Sequence, residues 1–480
     1  MTSQANERIR QWIITLAVLG GNLTGWLITT NVPRLVAHRR EVLLGRYAVG
    51  HLTVLLIVLP ISVLGLILTW TRRENRPKRG KQFLAMTISV LLAAFVLDLG
   101  LRLVTRGGYV PDGEIFHREP NTSFAGVTHD VPLTQYGYPN QRGGYPDIAY
   151  TLTVDGRGFR NGQTVSECDV LTLGDSFTEG SELSDDQTYP ALLARQTGKV
   201  VCNLGMAGAA PREYLATLKA FGLALKPKVA VVMIYEGNDF QPSAAKRETT
   251  WWDEVERYRK NSPLASVLKR SMIRTFGPIG RRRMTKAPEG HPFWPVVWMP
   301  VAVPAGKQAN YYAFKLKRLQ GHWRTAKFQK SAAYLATIEA IGEINTLCRE
   351  NGIRLIVLYA PDKPHVVLPC ARERLQARQV RAFMAYREKR LPPAEEFLSE
   401  MLKRLDTRQA ALAEFCRAES IEFAGLTRPL QERMQAGEQV YFTYDQHWTP
   451  IGARVAADTV AKLFDTKGSD SSGAGDLSGQ

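Results

Sequence analysis

Val170-Leu171-Thr172-Leu173-Gly174-Asp175-Ser176-Phe177-Thr178-Glu179-Gly180 is an unbroken apolar run that stops at a glycine and delivers a serine into a turn. A run without alternation reads as a strand covered on both faces. The rhythm repeats along the chain. Runs at Val200 to Leu204, Val229 to Tyr235 and Ile353 to Tyr359 alternate with helical patterns at Tyr189 to Thr197, Arg212 to Leu225 and Ala332 to Asn351. Strands alternating with helices predict right-handed crossovers and a parallel sheet with helices on both sides. Ligands gather at the carboxyl ends of such strands, so the informative residues are those that follow each run. They are Gly174-Asp175-Ser176, then Asn203-Leu204-Gly205-Met206-Ala207-Gly208, then Glu236-Gly237-Asn238-Asp239. A fourth group, Tyr444-Asp445-Gln446-His447-Trp448-Thr449-Pro450, precedes a last helix from Ala453 to Phe464 that Pro450 helps to start.

A serine at the start of a helix sits in a field that favours a developing anion, and it needs a base. Of the eight histidines, His38 and His51 fall in the apolar N-terminal part. His117, His129, His291 and His322 carry no turn signature, and His365, after Pro364, is a lesser candidate. His447 has Asp445 two residues before it, so one ring nitrogen can be held while the other faces a nucleophile. The Gly208 backbone N–H and the Asn238 side-chain amide are natural donors to an oxyanion. Asp175 reads as a scaffold for the turn, since a like charge does not help a nucleophile. Competing structural readings are a turn or capping role for Ser176, a plain turn at Asn238-Asp239 and a structural pair at Asp445 and His447. Lys363 and His365 read as surface-loop residues, with pocket lining as the alternative.

These four blocks, in this order, resemble the SGNH/GDSL hydrolase superfamily over roughly residues 165 to 465. The resemblance implies a flavodoxin-like three-layer α/β sandwich with a parallel sheet. It implies Ser176, His447 and Asp445 as catalytic residues, an oxyanion hole from Ser176, Gly208 and Asn238, and neither cofactor nor metal. The commonest pattern of the family puts the aspartate three residues before the histidine, where this chain has Tyr444. The Asp-x-His-Trp form instead resembles the branch that contains polysaccharide O-acetyltransferases and esterases, in which the blocks can occur in another order.

The rest of the 480 residues surrounds this unit. Residues 1–107 contain three apolar stretches, Trp12 to Thr30, Val49 to Trp70 and Phe83 to Val104, each near the length of a spanning helix. Six Lys/Arg between Arg72 and Lys81 predict a cytoplasmic loop and place everything after the third span outside. Asp98 and Arg102, four apart, read as a self-neutralising pair near the interface. The first 110 residues hold 14 basic against 4 acidic side chains, so +10 of the net +17 flanks apolar segments; membrane topology, not nucleic-acid binding, explains that excess. Residues 108–165 form a β-rich lead-in, 166–466 the hydrolase-like domain, 243–330 a basic and aromatic insertion, and 467–480 a Gly/Ser/Asp-rich disordered tail. Leu264, Leu268, Met272 and Phe276 recur among basic residues, as in a helix resting on a bilayer, on an anionic polymer or on its own domain. The insertion's Trp251-Trp252, Phe293-Trp294, Trp298, Tyr311-Tyr312 and Trp323 suit sugar stacking, membrane anchoring or core packing. One helical stretch is expected from Ala371 to Cys416. The five cysteines show no zinc or C-x-x-C spacing.

Three functions are consistent with this pattern. The first is a membrane-anchored extracytoplasmic serine esterase acting on an acylated, most simply O-acetylated, glycan or lipid-linked substrate. The second is a polysaccharide O-acetyltransferase, and the third a non-catalytic assembly factor working with envelope polysaccharide machinery.

Overall fold

The computed structural model describes residues 2–28, 42–43, 47–71, 75–104, 109–112, 115–130, 144–240, 262–265, 267–269, 271–272, 275, 298–325, 327–385, 388 and 390–465. The chain divides into two units: Met1–Arg106 with Leu133–Pro139 and Glu248–Val297, and Gly107–Pro132 with Asn140–Arg247 and Trp298–Gln480.

The second unit is built on five parallel strands: β1 (Val170–Leu173), β2 (Val201–Asn203), β3 (Val229–Tyr235), β4 (Arg354–Ala360) and β5 (Glu422–Gly425). Their order across the sheet is β5-β4-β3-β1-β2, with β1 paired to β3 from Val170↔Val229 to Leu173↔Val232. This is the 2-1-3-4-5 order of doubly wound folds, whose direction of winding reverses between β1 and β3. The continuous apolar runs follow from burial on both faces. Leu171, Leu173, Ala230, Val232, Ile234, Val357 and Tyr359 alternate onto one face, where they share a core with Tyr214, Leu218, Ile341, Ile344 and Leu412. The intervening Val170, Thr172, Val231, Met233, Ile356 and Leu358 are equally buried on the other. There the helix Tyr189–Thr197 packs along Pro450–Asp465. Thr188 starts the former through its side chain and Gly198, in the left-handed region, ends it.

The strands at Val170 to Leu173 and Val229 to Tyr235 lie where the sequence places them; β2 is one residue shorter at each end than Val200 to Leu204, and β4 is displaced one residue toward the C-terminus from Ile353 to Tyr359. Three features depart from the sequence reading. The edge strand β5 adds a fifth strand to the four that the apolar runs predict. The insertion contains an antiparallel hairpin, Trp298–Ala305 with Gln308–Lys315, followed by the helix Leu316–Trp323. Within it Tyr312 is fully buried, so that ring serves core packing, not sugar stacking or membrane anchoring. The single helix expected from Ala371 to Cys416 is three, Ala377–Ala385, Ala394–Arg404 and Thr407–Ala418, because Pro392-Pro393 cannot continue a helix and a turn at Leu405-Asp406 breaks the rest. The lead-in forms two hairpins, Tyr109–Asp112 with Ile115–Arg118 and Ser123–Thr128 with Ile148–Thr153. All five cysteines are free.

The first unit includes the helices Thr2–Ile28, Val49–Trp70 and Arg76–Val104. Among the described residues two segments are long and apolar enough to cross a membrane, Leu52–Trp70 and Lys78–Leu101. Thr2–Ile28 falls outside that pair, although it packs on Val49–Trp70 through Trp12 and Trp70, whose ring centroids are 5.1 Å apart. The Trp70 indole N–H donates to Thr15 Oγ1 at 3.0 Å and Asn22 Nδ2 to Ser62 Oγ at 2.8 Å, contacts that suit polar side chains between apolar helices. The expected pairing of Asp98 with Arg102 falls on a side chain outside the described residues. The Asp98 carboxylate accepts from Ser262 Oγ at 2.5 Å and from the Leu264 N–H at 3.1 Å, at the start of the helical residues 263–265. Trp251-Trp252, Phe293-Trp294, Phe276 and the tail 467–480 also lie outside the described residues.

Candidate active site

The turn after β1 is fixed by its own aspartate. Asp175, fully buried, accepts from the Phe177 N–H at 3.0 Å, which makes it the N-cap of the short helix Ser176–Glu179. Its other oxygen accepts from Asn238 Nδ2 at 2.8 Å, so the turn after β3 is tied to the turn after β1 across the point where the winding reverses. Burial pushes the Asp175 carboxyl up, against the Phe177 N–H and the Asn238 amide that favour its ionised form. The loop after β2 is stitched to the same turn: the Met206 N–H donates to the Gly174 carbonyl at 3.0 Å and Asn203 Nδ2 to the Thr178 carbonyl at 3.0 Å. Gly205 is required here, because a Cβ would stand 2.5 Å from the Glu179 nitrogen. Gly208, at φ +86°, stands exposed at the loop's far end.

Ser176 and His447 meet. The Ser176 hydroxyl donates to His447 Nε2 at 2.7 Å. On the opposite side of the ring, Nδ1 donates to Asp445 Oδ1, which also accepts the His447 backbone N–H at 2.8 Å. The ring is 21% exposed and the Asp445 carboxylate 31%, so both keep partial access to solvent. Burial opposes charge on the imidazole, but Asp445, with Asp175 and Glu182 behind it, raises its pKa above the ordinary value. Burial likewise works against the Asp445 carboxylate, yet the His447 ring and N–H, with Lys363, hold it well below the usual range. Phe177 wedges the assembly: its ring centroid lies 4.2 Å from that of Tyr235, 5.0 Å from His447 and 4.7 Å from Trp448.

Among the described residues no protein acceptor takes the backbone N–H of Ser176 or of Gly208. Asn238 uses its amide on Asp175, and its Oδ1 is buried without a partner. Asp239 closes the β3 turn from below, accepting from the Tyr235 N–H at 2.7 Å and from the Tyr214 hydroxyl at 3.0 Å.

Residues that the sequence reading passed over support this arrangement. Arg160 donates to the carbonyls of Gly180 at 2.6 Å, Thr151 at 2.9 Å and Leu183 at 2.7 Å, and pairs with Asp185 at 2.8 Å. It thereby binds the lead-in hairpin to the loop beyond the Ser176 turn. The surface-loop reading of Lys363 and His365 is overturned: they begin the helix Lys363–Cys370 and are 0% and 1% exposed. His365 bridges Glu236 (2.9 Å) and Asp406 (2.9 Å), while His322 reaches Asp362 (2.7 Å) and faces Glu236 (3.6 Å). The result is an alternating chain, Asp406, His365, Glu236, His322, Asp362. Glu236, His322 and Asp362 also bring potential metal-ligand atoms within 4.8 Å of one another, as do Glu182, Asp445 and His447. No local pattern announces such a network, because its members come from four separate segments.

A family model described as a GDSL-like lipase/acylhydrolase matches residues 170–366, the span that holds Ser176, Gly208 and Asn238. A second, described as the SGNH hydrolase-like domain of the acetyltransferase AlgX, matches residues 322–479, which hold Asp445 and His447. Searched against curated proteins, the chain has no match. Among solved structures it is similar to an acetylxylan esterase from Geobacillus stearothermophilus at 12% identity and TM-score 0.31, covering 62% of this chain and 94% of that one. It is also similar to a lipase/acylhydrolase from Enterococcus faecalis, at 12% identity and TM-score 0.30, over 62% and 96% of the two chains. With the serine, glycine, asparagine and Asp-x-His blocks gathered at the ends of a 2-1-3-4-5 parallel sheet, and with both family models falling on those blocks, the chain belongs to the SGNH/GDSL hydrolase superfamily.

Proposed function

We propose that the protein is a membrane-anchored serine esterase that removes acyl groups, O-acetyl in particular, from a glycan or lipid-linked substrate outside the cytoplasm. The observation that carries this reading is the 2.7 Å hydrogen bond from the Ser176 hydroxyl to His447 Nε2, with Asp445 on the other ring nitrogen. Ser176 Oγ attacks the ester carbonyl as its proton passes to His447. The tetrahedral oxyanion takes hydrogen bonds from the Ser176 and Gly208 N–H groups and from the second N–H of the Asn238 amide, whose first is fixed by Asp175. Collapse expels the alcohol, which leaves with the proton held by His447, and an acyl-serine remains. Water then attacks the acyl carbon while His447 accepts its proton; the carboxylic acid departs and the Ser176 hydroxyl is restored.

Two apolar helices near the N-terminus and the basic loop between them support anchoring with the sheet unit outside. The domain limits read from the sequence, 1–107, 108–165, 166–466 and 467–480, belong to the same proposal. Asn238→Ala is expected to lower kcat on an aryl acetate by about 10²–10³-fold, the effect of removing one oxyanion donor, with KM changed far less; steady-state kinetics reads it.

Transfer is favoured as a second reading by one observation, the match of the AlgX acetyltransferase domain to the segment carrying Asp445-x-His447-Trp448. In that case a sugar hydroxyl replaces water in the second step. Incubating the full chain in detergent with an aryl acetate and oligosaccharides separates the two: free acetate alone supports hydrolysis, whereas acetyl ester on the sugar at the expense of acetate supports transfer.

A further inference from the structure

Asp130 lies in the lead-in, outside both family-model matches, and is 3% exposed. Among the described residues its carboxylate meets no cation at hydrogen-bond distance and accepts four backbone N–H groups. Oδ2 takes those of Thr443 at 2.6 Å and Tyr145 at 2.7 Å, and Oδ1 those of Tyr444 at 2.9 Å and Asp445 at 3.1 Å. Three of the four belong to consecutive residues that end at Asp445. The carbonyl of the same stretch is held from the other side: Lys363 Nζ donates to the Thr443 oxygen at 3.0 Å, and the Ala313 N–H to the same oxygen at 2.8 Å. Charge-assisted hydrogen bonds of this kind are about twice as strong as neutral ones. The Asp445 carboxylate, in turn, holds both the ring and the backbone N–H of His447.

We propose that Asp130 and Lys363 are positioning residues for the Asp445–His447 pair, clamping the backbone of Thr443 to Asp445 so that the carboxylate meets the imidazole. The inference rests on the serine-esterase reading and assigns it two residues that touch no substrate. Lys363 is placed for this task. It lies among Asp130 and Asp445, which favour its charge, and Lys315 and Arg318, which oppose it, and burial pushes its ammonium down to about 7. The clamp also gives the lead-in a role in the chemistry, since the hairpins of residues 109–153 carry the residue that aligns a loop near the C-terminus.

The test uses the full chain in detergent with Asp130→Asn, which keeps the shape but turns two donors toward backbone donors, and Lys363→Met, which keeps the length without the charge. Misplacing a catalytic group by about 1 Å costs about 10²-fold, so kcat on a small aryl acetate is expected to fall about 10²-fold in Asp130→Asn, with KM within about twofold. The acid limb of kcat/KM should move down toward the ordinary histidine range, because His447 loses the carboxylate that raises it. In an Asp445→Ala background, Asp130→Asn should add nothing further. Amide hydrogen exchange at Thr443, Tyr444 and Asp445 should speed up in both variants while the strands of the sheet stay protected. Wild-type kcat and acid limb in a folded Asp130→Asn protein, or a full additive loss on top of Asp445→Ala, would overturn the proposal. If Asp130→Asn does not fold, Lys363→Met carries the same kinetic and exchange expectations, and wild-type values there overturn it. An unreactive Ser176 in the wild type, with faster exchange at 443–445 in the variants, would sink the esterase reading and leave the clamp standing.

Discussion

Replacing Ser176 or His447 by alanine is expected to reduce ester turnover by at least about 10³-fold, toward a residual rate due to the oxyanion donors and binding. The reason lies in the geometry. A serine hydroxyl is a weak nucleophile by itself, and here its proton is received by His447 Nε2 at 2.7 Å. Removing either partner removes the same step, so the double variant should be no slower than the slower single one. Asp445→Ala should cost less, because Asp445 orients the ring and raises its basicity but does not touch the acyl group. The pH profile follows from the sign of the His447 shift. Catalysis needs the neutral ring, and the shift is upward from 6.5, so kcat/KM should climb with pH through an apparent pKa above that value. Steady-state kinetics on purified variants with confirmed circular dichroism measures all four expectations.

Glu236→Ala is expected to destabilise the sheet unit by about 3–5 kcal/mol, the usual cost of breaking a buried ion pair from one side. Glu236 is 1% exposed and accepts from the Asp362 N–H at 3.0 Å and from His365 Nδ1 at 2.9 Å, with Arg408 and His322 close by. Alanine leaves the His365 imidazolium half-paired and a buried backbone donor unmatched. The pair also makes stability depend on pH in both directions. Burial alone would lower the His365 pKa, but Glu236 and Asp406 override it and raise it to about 10. Its contribution is therefore full below its ordinary value of 6.5 and is lost as pH rises through about 10. Burial alone would raise the Glu236 pKa, but His365, His322 and Arg408 hold it well below its ordinary 4.5. That contribution is full above 4.5 and is lost as the solution becomes more acidic. The wild type should thus show its broadest stability between those two values, and Glu236→Ala should flatten both limbs. Urea midpoints read by hydrogen exchange at the β3 and β4 amides measure this, and a midpoint equal to wild type would show that the network contributes nothing.

The parts of this architecture that could be read from the chain are those with a local signature. β1, β3 and β4 are visible because strands buried on both faces need unbroken apolar runs, and the residues just past them stand at the ligand-binding edge. The Asp445-x-His447 spacing is visible because the two side chains meet within a single turn. β5 was hidden, being four residues long with a glutamate and a glycine in Glu422-Phe423-Ala424-Gly425. The hairpin of Trp298 to Lys315 was masked by Pro300 and Pro304, which argue against a strand. Asp130, Arg160 and the Glu236 network were out of reach for a different reason. Each earns its place through contacts with distant segments, Asp130 with Thr443 and Glu236 with His322 and His365, and a single sequence carries no trace of such pairings.

Intact-mass analysis of the full chain after treatment with a fluorophosphonate, beside Ser176→Ala and His447→Ala, tests the central claim most directly. The expected result is one covalent adduct that maps to Ser176, is absent from Ser176→Ala and forms far more slowly in His447→Ala. A folded wild-type protein that takes no adduct, or takes one at a residue other than Ser176, would contradict it and would turn the search toward binding or assembly.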